Sequence, residues 1–155
     1  MRFVRSTSVY LNNGTIYIVP QVKTFMGLCS ATVPVSVHEL PTNYESIGSA
    51  VIRALMAYKE QCPAPLGSAI EKYVLRPLGY KSWKAFARST VLVSVEEEEG
   101  VVRFVRSKLN PRSGVFFFLD PEPLRASLGD AHVLGELLMR ALQPDVKSSE
   151  HDSLK

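Results

Sequence analysis

Val9-Tyr10-Leu11-Asn12-Asn13-Gly14-Thr15-Ile16-Tyr17-Ile18-Val19 is the stretch from which the rest of the chain can be read. Residues 3–11 and 15–23 are rich in Val, Ile, Thr and Tyr, side chains that fit a pleated surface. Between them, Asn-Gly readily takes the positive φ angles of a tight turn, so a β-hairpin is predicted. A second hairpin is expected from Thr90–Val95 and Val101–Ser107, joined through Glu96-Glu97-Glu98-Glu99 and Gly100. Further strands are expected at Thr32–His38 and Gly114–Leu119, which makes a sheet of about six strands.

The periodicity then changes from two to 3.6. Ile47, Ala50, Val51, Ala54, Leu55 and Tyr58 form one apolar helical stripe, with Thr42 and Glu45 spaced as a capping box before it. Leu134, Leu137, Leu138, Ala141 and Leu142 form another, with Asp130 as its cap, Glu136 and Arg140 as an i, i+4 pair, and Pro144 as its stop. The segments 47–55 and 134–142 align without gaps, sharing Gly, Arg, Ala and Leu at an offset of 87 residues, while the turns at Gly14 and Gly100 are offset by 86. Two readings fit: a unit of hairpin, strand and helix repeated about a pseudo-twofold axis, or chance agreement between two amphipathic helices.

Between the halves, Pro63-Ala64-Pro65 is expected to open a helix carrying Leu66, Ile70, Tyr73 and Val74, closed by Pro77 and Gly79. A short helix from Ser82 carries Trp83 and Phe86, whose i, i+3 spacing favours core packing over a base-stacking surface with Lys81, Lys84 and Arg88. The expectation is an α+β fold: one domain over residues 1–143, with an antiparallel or mixed sheet covered by amphipathic helices. Residues 144–155 are polar and aperiodic and are expected to form a flexible tail.

A chain of 155 residues, 46% hydrophobic and 21% charged, can bury a core without disulfide or metal staples, which excludes the disordered and fibrous classes. The N-terminus lacks the pattern of a secretory signal, and no apolar run approaches the ~20 residues of a membrane-spanning helix. Cys29 and Cys62 stand alone, without metal-ligand spacing, and are expected to be free thiols in a reducing cytosol. The formal charge of +3 is unevenly spread: ten Lys and Arg face four Glu before residue 96, and eight face eleven Asp and Glu from there on.

Templates for phosphate loops, zinc sites and serine-hydrolase elbows are absent, and no cofactor is expected. His38 ends a strand, His132 opens a helix and His151 lies in the tail. A hydrolase built from Asp130, His132 and Ser82 is the remote alternative, since capping explains Asp130 more simply. A nucleic-acid-binding domain using the basic N-terminal half is the other alternative. The chain is not expected to be an enzyme.

Arg5-Ser6-Thr7-Ser8-Val9-Tyr10, Pro20-Gln21, Gly79-Tyr80-Lys81-Ser82-Trp83-Lys84-Ala85-Phe86 and the helix at Leu134-Gly135 form a pattern running through most of the chain. Together these stretches resemble the immunity proteins of bacterial contact-dependent growth inhibition. The resemblance implies a cytoplasmic antitoxin that binds the C-terminal domain of a cognate toxin, commonly a nuclease. It implies no catalytic residue, no membrane and no direct nucleic-acid partner, and it leaves the oligomeric state open. Family members neutralise different toxins, so contact residues do not follow from the motifs. A nuclease groove is positive, so acidic groups are the natural contacts. Glu96, Glu97, Glu98 and Glu99, with Asp120 and Glu122, are therefore the expected toxin-binding residues; the competing reading of the run is a solubility device at a hairpin tip.

Overall fold

The computed structural model describes residues 4–63, 68–118 and 122–143. Among the described residues nine strands form one sheet: β1 (Arg5–Asn12), β2 (Thr15–Thr24), β3 (Cys29–Ala31), β4 (Ser36–Glu39), β5 (Lys59–Cys62), β6 (Thr90–Glu98), β7 (Val101–Asn110), β8 (Val115–Phe118) and β9 (Leu124–Ser127). The helices are α1 (Tyr44–Met56), a π-helical turn at Glu71–Leu75 running into α2 (Arg76–Leu78), α3 (Trp83–Arg88) and α4 (Ala131–Leu142). The main path is β3-β2-β1-β6-β7-β8, with β4 and β5 on β2 and β9 on β7. All these pairings are antiparallel except that of β2 with β5.

The two halves repeat one unit. β1 pairs β6 at the centre of the sheet, and β2 and β7 flank them. β2 carries β4 along Thr15–Ile18 and β3 along Gln21–Lys23; β7 carries β9 along Val101–Phe104 and β8 along Ser107–Asn110. The Leu40 N–H donates to the Gly14 carbonyl and the Leu128 N–H to the Gly100 carbonyl, both at 2.9 Å. Asn43 Oδ1 caps α1 by accepting from Ser46 N, and Asp130 Oδ1 caps α4 by accepting from Val133 N. Chance likeness between two helices would not reproduce ladders, turns and caps in the same order, so the repeat is real.

The same symmetry fixes the helix pair. A Cβ at Gly48 would lie 1.7 Å from the carbonyl oxygen of Ala131, and a Cβ at Gly135 would lie 1.9 Å from that of Tyr44. Each helix thus uses its glycine to seat the first turn of the other. The shared apolar stripes of α1 and α4 then close over Val9, Ile16, Ile18, Val93, Val95, Val102 and Phe104 on one sheet face. Each such side chain fully buried is worth about 1.5–3 kcal/mol.

The opposite face is covered along only part of its length. Tyr10, Tyr17, Val19 and Leu92 pack there against Val74, Leu75 and Phe86, and Trp83 closes the rim. The Trp83 ring meets Tyr10 and Phe116 edge-on, and its Nε1–H donates to the Gly114 carbonyl at 2.7 Å. Lys81, Lys84 and Arg88 are the exposed side of this helix, so the indole is a packing group.

Several expectations shift. The cap of α1 is Asn43 rather than Thr42, because the extended residue is Asn43 and Tyr44 is already helical. Glu136 and Arg140 are not within ion-pair distance, as is common for long solvated side chains. The expected strand Thr32–His38 is shorter and later, as β4. The sheet gains β3, β5 and β9, three or four residues each, too short for period-two alternation to register. Tyr73 points outward because the π turn moves it off the Ile70–Val74 side. Leu66 and the 144–155 tail lie outside the described residues.

Candidate functional site

The acidic run is mostly strand. β6 continues through Glu98 and β7 starts at Val101, leaving only Glu99 and Gly100, at φ 52° and 82°, as a two-residue turn. Asn13 and Gly14 form the equivalent turn of the first half at φ 48° and 79°. Positive φ suits Asn-Gly, whereas a Glu there carries a steric cost.

The strand period separates the four carboxylates. Glu97 falls on the helix-covered face opposite Arg5 and Val102, is 7% exposed, and accepts from the Gly100 N–H at 3.0 Å. Arg5 Nε lies 3.9 Å from it, and Arg5 also donates to the Met56 sulfur at 3.1 Å. Glu96 falls on the other face and pairs with Arg103 at 2.7 Å. Glu98 is half-buried and Glu99 exposed. Glu97 therefore holds the turn closed, and the carboxylates left at the surface are Glu96, paired with Arg103, and Glu98 and Glu99.

The neighbouring feature has no counterpart in the acidic run itself. The β2–β3 turn carries Phe25, Met26 and Leu28, which are 69, 84 and 68% exposed. Thr24 N–H donates to the Leu28 carbonyl and Phe25 N–H to the Cys62 carbonyl, at 2.9 and 3.0 Å, so the backbone of this tip is anchored while its side chains are not covered. Tyr58 sits below, with its phenol pushed up to about 12 by burial first and then by Glu60. Cys29 and Cys62 are free thiols on opposite edges of β2.

Register puts the apolar tip and the acidic turn at the same end of the sheet. Thr7 pairs with Pro20 and Arg5 with Glu97, so Phe25–Leu28 and Glu98–Gly100 both extend past the Arg5 end of β1. β1 separates β2 from β6 only as far as the Thr7–Pro20 pair, and beyond it β5 lies along that edge of the tip. Glu122 is not at this end: Leu124 pairs with Phe104, so the chain before it lies level with the middle of β7. Asp120 lies outside the described residues. The sequence did carry a signal for the tip, three large apolar residues around Gly27, but such a triplet is equally the pattern of a buried strand.

The hydrolase constellation is not assembled. Ser82 Oγ caps α3 on one side of the sheet, and Asp130 and His132 lie on α4 on the other, His132 edge-on to Tyr44 at 5.5 Å. Among the described residues no group of three or more His, Cys, Asp or Glu is placed to hold a metal ion. No described helix is long and apolar enough to cross a membrane.

No protein-family model matches the sequence. No curated protein matches it either. The fold is shared with solved structures. A protein of unknown function from Neisseria meningitidis superposes with a TM-score of 0.72 at 17% identity, covering 93% of this chain and 96% of that one. A chain of the CdiA-CT/CdiI toxin and immunity complex from Yersinia pseudotuberculosis superposes with a TM-score of 0.71 at 12% identity, covering 90% of this chain and 96% of that one. At these identities the likeness is one of fold.

Proposed function

We propose that this chain is a non-catalytic immunity protein that binds and neutralises the C-terminal domain of a contact-dependent toxin inside the cell that makes it. The observation that carries the reading is the likeness, over nine-tenths of the chain, to a chain of a toxin and immunity complex. A fold alone does not assign function. The surface adds a reason: three uncovered apolar side chains on an anchored hairpin tip are what a binding partner would desolvate.

We assign the contact to the Arg5 end of the sheet. Phe25, Met26 and Leu28 form its apolar centre, and Glu96, Glu98 and Glu99 its acidic rim, with Glu97 holding the turn. A toxin that acts on nucleic acid presents a basic groove, and an acidic rim steers it into place. Asp120 and Glu122 remain proposed contacts apart from that end: Glu122 lies level with the middle of β7, and Asp120 lies outside the described residues. The strained Glu99 supports the assignment, since steric cost is retained where a side chain has work outside the fold.

The test is co-purification and growth rescue with the toxin domain encoded beside this chain. A stoichiometric complex with rescue is the expected result. Rescue without a complex, or no rescue by the folded protein, rejects the reading. Changing Glu96, Glu98 and Glu99 to Gln should slow association about tenfold at low salt and alter dissociation little.

A further inference from the structure

Away from that end, β4 and α1 border an open cleft of about 630 Å³ lined by His38, Thr42, Asn43, Glu45, Ser46, Ser49 and Arg53. Its size is within the ~300–1,000 Å³ range of small-ligand sites. Its chemistry is hydroxyls, one amide, two basic groups and, at Glu45, one carboxylate. The pseudo-twofold shows what is unusual here. Arg53 of α1 corresponds to Arg140 of α4, but four residues earlier α1 has Ser49 where α4 has Glu136. His38 pairs with Ile16 where, in the other half, Ala126 pairs with Val102. The first half thus has a hydroxyl one turn before its arginine and an imidazole lining the same cleft.

Among the described residues Arg53 forms no ion pair, Glu45 on the cleft rim included. His38 Nε2 is within 3.2 Å of Ser36 Oγ and has no acidic partner among the cleft residues. We propose that this cleft binds a small oxyanion, a carboxylate or phosphate group, clamped between the Arg53 guanidinium and the His38 imidazolium with the hydroxyls of Thr42, Ser46 and Ser49 around it. The guanidinium fork matches two oxygens of either group. The hydroxyls supply neutral donors, and Asn43 is already committed to capping Ser46 N.

Burial, and then the charge of Arg53, hold the His38 imidazole below its ordinary value. The titratable and charged groups bordering the cleft are His38, Glu45 and Arg53. An anion between the two cations reverses the repulsion, so binding and His38 protonation strengthen each other. Occupancy should therefore rise as pH falls through the His38 titration.

The experiment is an NMR titration of the imidazole signals of the full chain with sodium acetate and, separately, inorganic phosphate, at ionic strength held constant with chloride. His132 and His151 serve as internal references. A saturable response at His38 is expected, with its pKa raised by about one unit at saturation, which is a roughly tenfold preference for the protonated form. Arg53→Gln, an exposed helix position, should abolish the response without lowering Tm, and Glu45→Gln should tighten it. Response to phosphate alone assigns the site to phosphate groups, and response to acetate alone to carboxylates. No saturation by either anion, a His38 response no larger than that of the other histidines, or an unchanged response in folded Arg53→Gln overturns the proposal.

Discussion

The turns Phe25–Leu28 and Pro111–Gly114 stand at equivalent places in the two halves of this protein and have opposite character. The first exposes Phe, Met and Leu; the second is Pro-Arg-Ser-Gly, with Asn110 Oδ1 accepting from the N–H groups of Arg112 and Ser113 and Trp83 packed onto the Gly114 carbonyl. The second tip is tied to the protein at Gly114 and exposes Pro, Arg and Ser at its apex, where the first exposes three large apolar side chains. The adjoining turns differ in the same sense, Asn13-Gly14 being relaxed and Glu99-Gly100 strained. Positions that obey the pseudo-twofold serve the fold, and those that break it are where binding is to be sought.

The largest expected effect falls on a layer that only the Pro111 end possesses. Phe86 is fully buried beneath Tyr10, Tyr80 and Trp83. Phe86→Ala should cost about 3–5 kcal/mol in urea unfolding. A loss below about 1 kcal/mol would mean that this layer is an accessory and the two ends are less different than they look.

The symmetric part is tested next. Gly48→Ala and Gly135→Ala each push a methyl group into backbone that cannot step aside, so each should cost about 3 kcal/mol, the upper range for overpacking. Similar losses sharpen the twofold description. A silent Gly135→Ala would break it.

A smaller effect of opposite sign is expected at the strained turn. Glu99→Asn recreates the chemistry of Asn13 and should stabilise the protein by about 1 kcal/mol. It should also slow toxin association. Stabilisation without any change in association would make the acidic turn a structural accident.

How much of this was legible follows from the length scale of each signal. Asn13-Gly14 and the stripes of α1 and α4 declare themselves because turn chemistry and helical period are local. The offsets of 86 and 87 residues hinted at the repeat, but only the ladders could separate it from chance. β5, Lys59-Glu60-Gln61-Cys62, has no apolar alternation and exists because β2 offers it an open edge. Glu96–Glu98 looked like a loop because Glu has little preference for strands. Arg103, Arg5 and the Gly100 N–H supply what the residue type lacks. The apolar tip was the hardest to see, since exposure is not written in residue type.

The smallest expected effect per site on stability is at that tip, and it carries the central claim. Changing Phe25, Met26 and Leu28 together to Ser should alter unfolding free energy by no more than about 0.5 kcal/mol per site, since these side chains bury little. The deciding measurement is calorimetric titration of the toxin domain encoded beside this chain into wild type, into the triple-Ser tip variant, and into Arg112→Ala at the equivalent tip. The account predicts that affinity falls at least about 100-fold in the tip variant, as for loss of an interface hot spot, and stays within about twofold in Arg112→Ala. Unchanged affinity in a folded tip variant, or a larger loss from Arg112→Ala, would contradict it.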